Sequence, residues 1–420
     1  MLEAKEKAII IKPQTKPSVP SSTAGSILKG RFFYALLAFI VLNFVAYFYL
    51  NKGPESLASS FSKDGGKNLP MAQSWPWWIA KSYTAEFSSK STAPDVVVFG
   101  SSQMGSASFA ANAHKLGKAL DCVTDRHLDV LELSLSKDRK ISVFNAATGG
   151  AMISDANLAA RALFLNGEQK ALPKLVIIGI GPRDFIDNSL SSPAATEPFR
   201  FFSHFVELGS LYDYAFDNVF TKLGFACEHN LPGKLIFKAY FKKFLGGASY
   251  GETSDELSQE TSSKNKVSGN LLAAISQSGA AIQPGQWLIP ANMPYMFVDN
   301  SNEYINRFKN PNPPLYNQEM RFFQDFLKQM HDRNIPVLVV GMPSLAPNRK
   351  LLPDSFWQKF RSDIRQKCQE GGAVYHDISD SPEFELYDYL DTVHLNARGG
   401  EKLFNSVSNK VQTTRQLNFQ

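Results

Sequence analysis

Asp95-Val96-Val97-Val98-Phe99-Gly100-Ser101-Ser102-Gln103 is the stretch on which the fold turns. Its four apolar residues have no polar side chain between them, so they read as a strand buried on both faces; a half-buried strand would alternate. Gly100 ends the run, and a polar turn follows. The pattern recurs downstream, with short β-rich runs at 96–99, 141–144, 175–180, 337–340 and 374–375. Helical stretches at 105–118, 152–165, 317–333, 354–370 and 397–412 lie between or after them. This alternation predicts an α/β fold, a three-layer α/β/α sandwich around a five-stranded parallel sheet in flavodoxin-like order. Right-handed crossovers gather the C-terminal ends of all strands along one edge, where sites form.

Four polar or glycine motifs fall on that edge. Gly100-Ser101-Ser102-Gln103 follows the first strand, and Asn145-Ala146-Ala147-Thr148-Gly149-Gly150 follows the second. Gly181-Pro182-Arg183-Asp184 follows the third, and Asp391-Thr392-Val393-His394 precedes the last helix. Acyl transfer requires such parts: an exposed hydroxyl, an imidazole to take its proton, a carboxylate to orient the imidazole, and N–H donors for an oxyanion. Plainer roles exist for each. Ser101 and Ser102 can cap a helix, Gly149-Gly150 can be a tight turn, and Asp184 can bond its own turn. Asp391 can cap the last helix beside a surface His394. His376, next to Asp377, is a rival base.

In these motifs and their order the chain resembles the SGNH (GDSL-like) hydrolase superfamily. The resemblance covers 94–184 and 316–412, about half the chain. It implies that Ser102 is the nucleophile, that Asp391 and His394 complete a triad, and that Gly150 and Ser102 give N–H groups to the oxyanion. The third block departs from the family pattern, because Arg183 stands where an asparagine would donate to the oxyanion. Arg183 therefore either replaces that donor, binds an anionic group of the substrate, or marks an altered site. Variant blocks of this kind, together with an N-terminal anchor, are similar to those of accessory proteins beside membrane-bound O-acyltransferases, as in alginate acetylation or teichoic acid D-alanylation.

The anchor is read from Phe32 to Leu50, 19 residues without a charge. As a helix they span about 28 Å, the thickness of a bilayer core. Lys5, Lys7, Lys12, Lys16, Lys29 and Arg31 precede the run, so the positive-inside rule places 1–31 in the cytoplasm as a disordered tail, and the main domain in the periplasm or outside the cell. Residues 51–93 read as a linker that includes the cluster Trp75-Pro76-Trp77-Trp78, expected to pack against the domain. Core segments follow at 94–184 and 316–415. Between them, 185–315 reads as an insertion, with an aromatic helical part at 199–247 and a mobile Ser/Gly-rich part at 250–286.

A net charge of +5 over 420 residues, without a dense basic block, excludes a nucleic-acid stripe. Cys122, Cys227 and Cys368 have no metal-site spacing and allow at most one disulfide; buried thiols are the simplest reading. The expected function is a membrane-anchored serine O-acyltransferase or esterase acting on an envelope glycan without metal or organic cofactor. Its partners would be an acyl donor, an envelope carbohydrate and a multi-spanning O-acyltransferase. The competing expectation is a non-catalytic scaffold that binds such a partner or a polysaccharide.

Overall fold

A computed structural model describes residues 34, 36–41, 56–88, 92–136, 139–165, 171–211, 215–216, 225, 281–309 and 311–417. The chain divides into two units, Met1–Lys52 and Gly53–Gln420. In the first, residues 34 and 36–41 are helical and exposed. Among the described residues no helix is long and apolar enough to cross a membrane. The rest of the expected anchor at 32–50, and the tail 1–31, lie outside the described residues.

The second unit is built on a parallel sheet. Its strands are β1 (Val96–Gly100), β3 (Val143–Asn145), β4 (Leu175–Ile180), β6 (Val337–Gly341) and β7 (Val374–Asp377), in the order β3-β1-β4-β6-β7. Counting only these five along the chain, that is 2-1-3-4-5, the flavodoxin-like order. Two short strands, β2 (Leu120–Asp121) and β5 (Leu288–Ile289), pair antiparallel in a separate sheet. Along β1 the side chains alternate between two cores. Val96 and Val98 join one, Val97 and Phe99 the other.

The helices are α1 (Leu57–Asp64), α2 (Trp75–Tyr83), α3 (Ser102–Leu116), α4 (Asp129–Leu135) and α5 (Ile153–Ala160). They continue with α6 (Glu197–Phe202), α7 (Ser301–Phe308), α8 (Pro313–His331), α9 (Asp354–Glu370) and α10 (Ala397–Thr413). Residues of α3, α4 and α10 cover Val96 and Val98; those of α1, α2, α5 to α9 pack on the side of Val97 and Phe99. Helix α8 shows how sequence sets the packing. Asn312 caps it by accepting from Leu315 N at 3.3 Å, and Pro313 suits its first turn. Leu315, Phe322, Phe323, Phe326 and Met330 then form the buried stripe.

Helices and buried aromatic residues appear in two stretches outside the expected core segments. Residues 57–88, read as part of a linker, are α1, α2 and a π-helical turn at Thr84–Ser88, with Trp77, Ile79 and Tyr83 in the core. The Trp77 indole donates to Gly66 O at 2.8 Å, and the Trp78 indole to Ile282 O at 2.9 Å. The start of the expected insertion also belongs to the body of the unit. Phe199, Phe201 and Phe202 are buried, and each contributes about 2 kcal/mol by leaving water. Of the stretch expected to be mobile, 250–286, only 281–286 is described.

Candidate active site

Ser102 is the first residue of α3, directly after β1. The turn is tight: Gly100 has φ of 152°, and a Cβ there would stand 2.6 Å from Met104 Cβ and 3.1 Å from the Gly179 carbonyl. Ser101 occupies the N-cap position, and its side chain makes no capping bond. The N–H groups of a helix's first turn have no partner within the helix, and the helix dipole favours negative charge there.

His394 and Asp391 come from one loop, 391–396, at the start of α10. The Ser102 hydroxyl donates to His394 Nε2 at 2.8 Å, and His394 Nδ1 donates to Asp391 Oδ2 at 2.6 Å. The other carboxylate oxygen, Oδ1, accepts from Val393 N and His394 N, each at 2.8 Å. Asp391 is fully buried, whereas Ser102 is half-buried. Packing of α10 on α3 sets the approach. Gly400 abuts the Ala107 carbonyl, where a Cβ would not fit, and the Ser106 hydroxyl donates to Leu395 O at 2.7 Å.

The turn after β3 lies against the end of β1: Ala146 N donates to Val98 O at 2.8 Å and Thr148 N to Gly100 O at 3.1 Å. Gly150 follows in the left-handed region with φ of 71°. No acceptor among the described residues takes its N–H. Asn145 Oδ1 accepts from Ala147 N at 3.1 Å and shapes the turn from within.

Arg183 is held on two sides. Its Nε donates to Asp187 Oδ2 at 2.9 Å and its Nη1 to Ala151 O at 2.8 Å, so it braces the residue after Gly150. Around it lies a buried network that is not evident from the motifs. Arg307 pairs with Asp187. Glu319 accepts from Ser154 N at 2.7 Å and Ser154 Oγ at 2.9 Å, and Asp155 accepts from Met152 N at 2.7 Å. Asp184 accepts from Gly181 N at 2.9 Å, its own turn. Burial pushes Asp155 up to about 7 and Asp184 up to about 6, against the pull of Arg183. Burial likewise raises Glu319 well above the carboxylate range. Burial also opposes ionisation of Asp187, but Arg183 and Arg307 outweigh it and hold its pKa low.

The structure thus brings Ser102, His394 and Asp391 into one hydrogen-bonded line. It puts Gly150 on the neighbouring turn and Arg183 behind that turn. His376, the rival base, is bonded to Ser406 Oγ at 2.8 Å. Cys122 and Cys368 are buried free thiols, and Cys227 lies outside the described residues. Among the described residues no group of three or more His, Cys, Asp or Glu could hold a metal ion. Glu319, Asp155 and Arg307 escaped the sequence reading because they come from helix faces far apart in the chain; only Asp155, three residues after the N-cap Met152, has a local capping role, accepting from Met152 N. Comparison with protein-family models and with curated proteins finds no match for this chain.

Proposed function

We propose that the chain is a serine acyl transferase or hydrolase of the SGNH type. One observation carries this: the line from Ser102 Oγ through His394 to buried Asp391, with contacts of 2.8 and 2.6 Å, at the C-terminal edge of a parallel sheet. With Nδ1–H engaged by Asp391, Nε2 is the nitrogen that accepts a proton. Ser102 Oγ attacks an acyl carbonyl while His394 Nε2 takes its proton. The charge that develops on the carbonyl oxygen meets the N–H groups of Ser102 and Gly150, the latter on a turn that Arg183 braces. His394 returns the proton to the leaving alkoxide, which gives an acyl-Ser102 intermediate. A second hydroxyl, from water or a sugar, then gives its proton to His394 and attacks the acyl carbon; the bond from that carbon to Ser102 Oγ breaks, and His394 returns the proton to Oγ.

Transfer to an envelope carbohydrate is the favoured outcome over hydrolysis. Its support is the apolar run 32–50, which would hold the domain at a membrane beside a multi-spanning O-acyltransferase and raise its effective concentration there. A fluorophosphonate probe should label Ser102 in the full-length chain and leave Ser102→Ala unlabelled. Equal labelling of the two ends the catalytic reading and leaves the scaffold. Partition between acylated oligosaccharide and free acid, measured with an acyl ester donor and a panel of acidic and neutral glycans, then decides between transfer and hydrolysis. Free acid alone across the panel counts against transfer.

A further inference from the structure

Among the described residues Arg126 is a conspicuous unsatisfied group. It is 2% exposed, and it lies under the turn that carries Gly150: its Nη1 donates to Ala147 O at 3.3 Å, and its carbonyl accepts from Asn145 N at 2.7 Å. Its guanidinium sits 5.8 Å from the ring of Trp75 and 5.6 Å from that of Phe109. The remaining two nitrogens, Nε and Nη2, have no partner among the described residues. Asp121 and Asp125 attract the charge from a distance, yet their carboxylates are bonded to backbone N–H groups, including those of Val123 and Gly285 for Asp121. Burial presses the Arg126 pKa down to about 10.

Those two nitrogens are not an arbitrary remainder. Nε–H and Nη2–H point the same way from one edge of the planar guanidinium, and that edge is the fork that grips two oxygens of one anion. The unpartnered groups around it are mostly donors. Among the described residues Trp75 Nε1 is buried without a partner, as is Trp287 Nε1, whereas the indoles of Trp77, Trp78 and Trp357 donate to carbonyls. Thr148 Oγ1, on the residue after Ala147, has no partner among the described residues either. A buried cation without a partner costs several kcal/mol, and an arriving oxyanion relieves that cost. Arg183, the cation that the motifs suggested for such a task, already has Asp187 and Ala151 as partners.

We infer that Arg126, with Trp75 Nε1 beside it, is a binding subsite for one carboxylate or phosphate group of the molecule that reacts at Ser102. The identity of the ligand as a substrate rests on the acyl-transfer reading; the anion site does not. Titration calorimetry on the full-length Ser102→Ala chain in detergent micelles reads binding without turnover. Monomethyl succinate and monomethyl phosphate are the charged probes, and dimethyl succinate is the neutral control. At least one charged probe should bind about tenfold or more tightly than the control, and the better of the two separates carboxylate from phosphate. Arg126→Gln should erase the preference. Arg126→Lys keeps a charge without the fork and should retain only part of it. Equal binding of charged and neutral probes, no binding of any, or a preference that survives Arg126→Gln overturns the inference. If Arg126→Gln does not give a cooperative melt, an undiminished preference in Arg126→Lys overturns it. Fluorophosphonate labelling of the wild type separates the two ideas. Labelling without a charged-probe preference sinks the subsite alone, and a preference without labelling sinks the catalytic reading alone.

Discussion

On one side of Ser102, the loop 391–396 sets a carboxylate, an imidazole and a hydroxyl in a single line that ends at a half-buried oxygen. On the other, Arg183, Arg307, Asp187, Asp155, Asp184 and Glu319 bond to one another and to the backbone of 151–154 and 181, deep in the protein. Both regions are made of charged side chains within reach of the same sheet edge. The first keeps one imidazole nitrogen, His394 Nε2, hydrogen-bonded to the Ser102 hydroxyl. In the second, Asp187 is matched by Arg183 and Arg307 while Asp155, Asp184 and Glu319 are held by backbone N–H groups, and Arg183 braces the turn beside the site. Residue type therefore does not separate a reactive group from a supporting one; the direction and completeness of its hydrogen bonds do.

Breaking each side in turn sharpens that contrast. His394→Ala should lower the rate of Ser102 labelling by about 10³-fold or more, which is about 4 kcal/mol of barrier, while the melting temperature barely moves. A labelling rate within tenfold of wild type would show that His394 is not the base. Asp187→Ala leaves Arg183 and Arg307 without their shared carboxylate. The expected result is a loss of about 3 kcal/mol in stability, read from the urea midpoint, with Ser102 still labelled in the folded fraction. A midpoint unchanged from wild type would mean that the network carries no net weight.

The smallest effect is on pH dependence. A carboxyl whose pKa is higher folded than unfolded contributes stability that is complete below its unfolded value, about 4, and is lost as pH rises through its folded value. With Asp184 near 6 and Asp155 near 7, and Glu319 raised in the same direction, melting temperature should fall as pH goes from 5 to 8. Asp187, held low, acts with the opposite sign and only at more acid pH. Glu319→Gln can still accept from Ser154 N and exchange hydrogen bonds with the Ser154 hydroxyl. It should flatten the slope by about 2 °C. A melting curve whose pH slope is the same in this variant would remove Glu319 from the account.

The sheet was legible in the sequence because buried parallel strands are continuous apolar runs, and 96–99 or 175–180 admit no other reading. Ser102, Asp391 and His394 were legible because each sits in a short motif at a strand or helix end. What stayed hidden has two physical causes. Helices α1 and α2 lie in a segment whose prolines, glycines and serines look like linker; tertiary burial of Leu57, Phe61 and Trp77, not propensity, makes them part of the body. Arg126, Asp187, Glu319 and Arg307 derive their roles from pairings, or missing pairings, between residues distant in sequence, which no local window contains.

Placing Asp391 and His394 three residues apart on one loop, and Ser102 292 positions before His394, has a consequence in time. The ribosome delivers the hydroxyl early and the imidazole almost last. The pair 391–394 assembles locally as soon as it is made, held by two backbone N–H groups on one carboxylate oxygen. The long-range bonds, His394 to Ser102 and Ser106 to Leu395 O, join the loop to α3 where Gly400 of α10 abuts the Ala107 carbonyl. A chain that ends before 391 has Ser102 without Asp391 or His394, and one that ends just before 397 has all three side chains but not the helix α10 that packs the loop against α3.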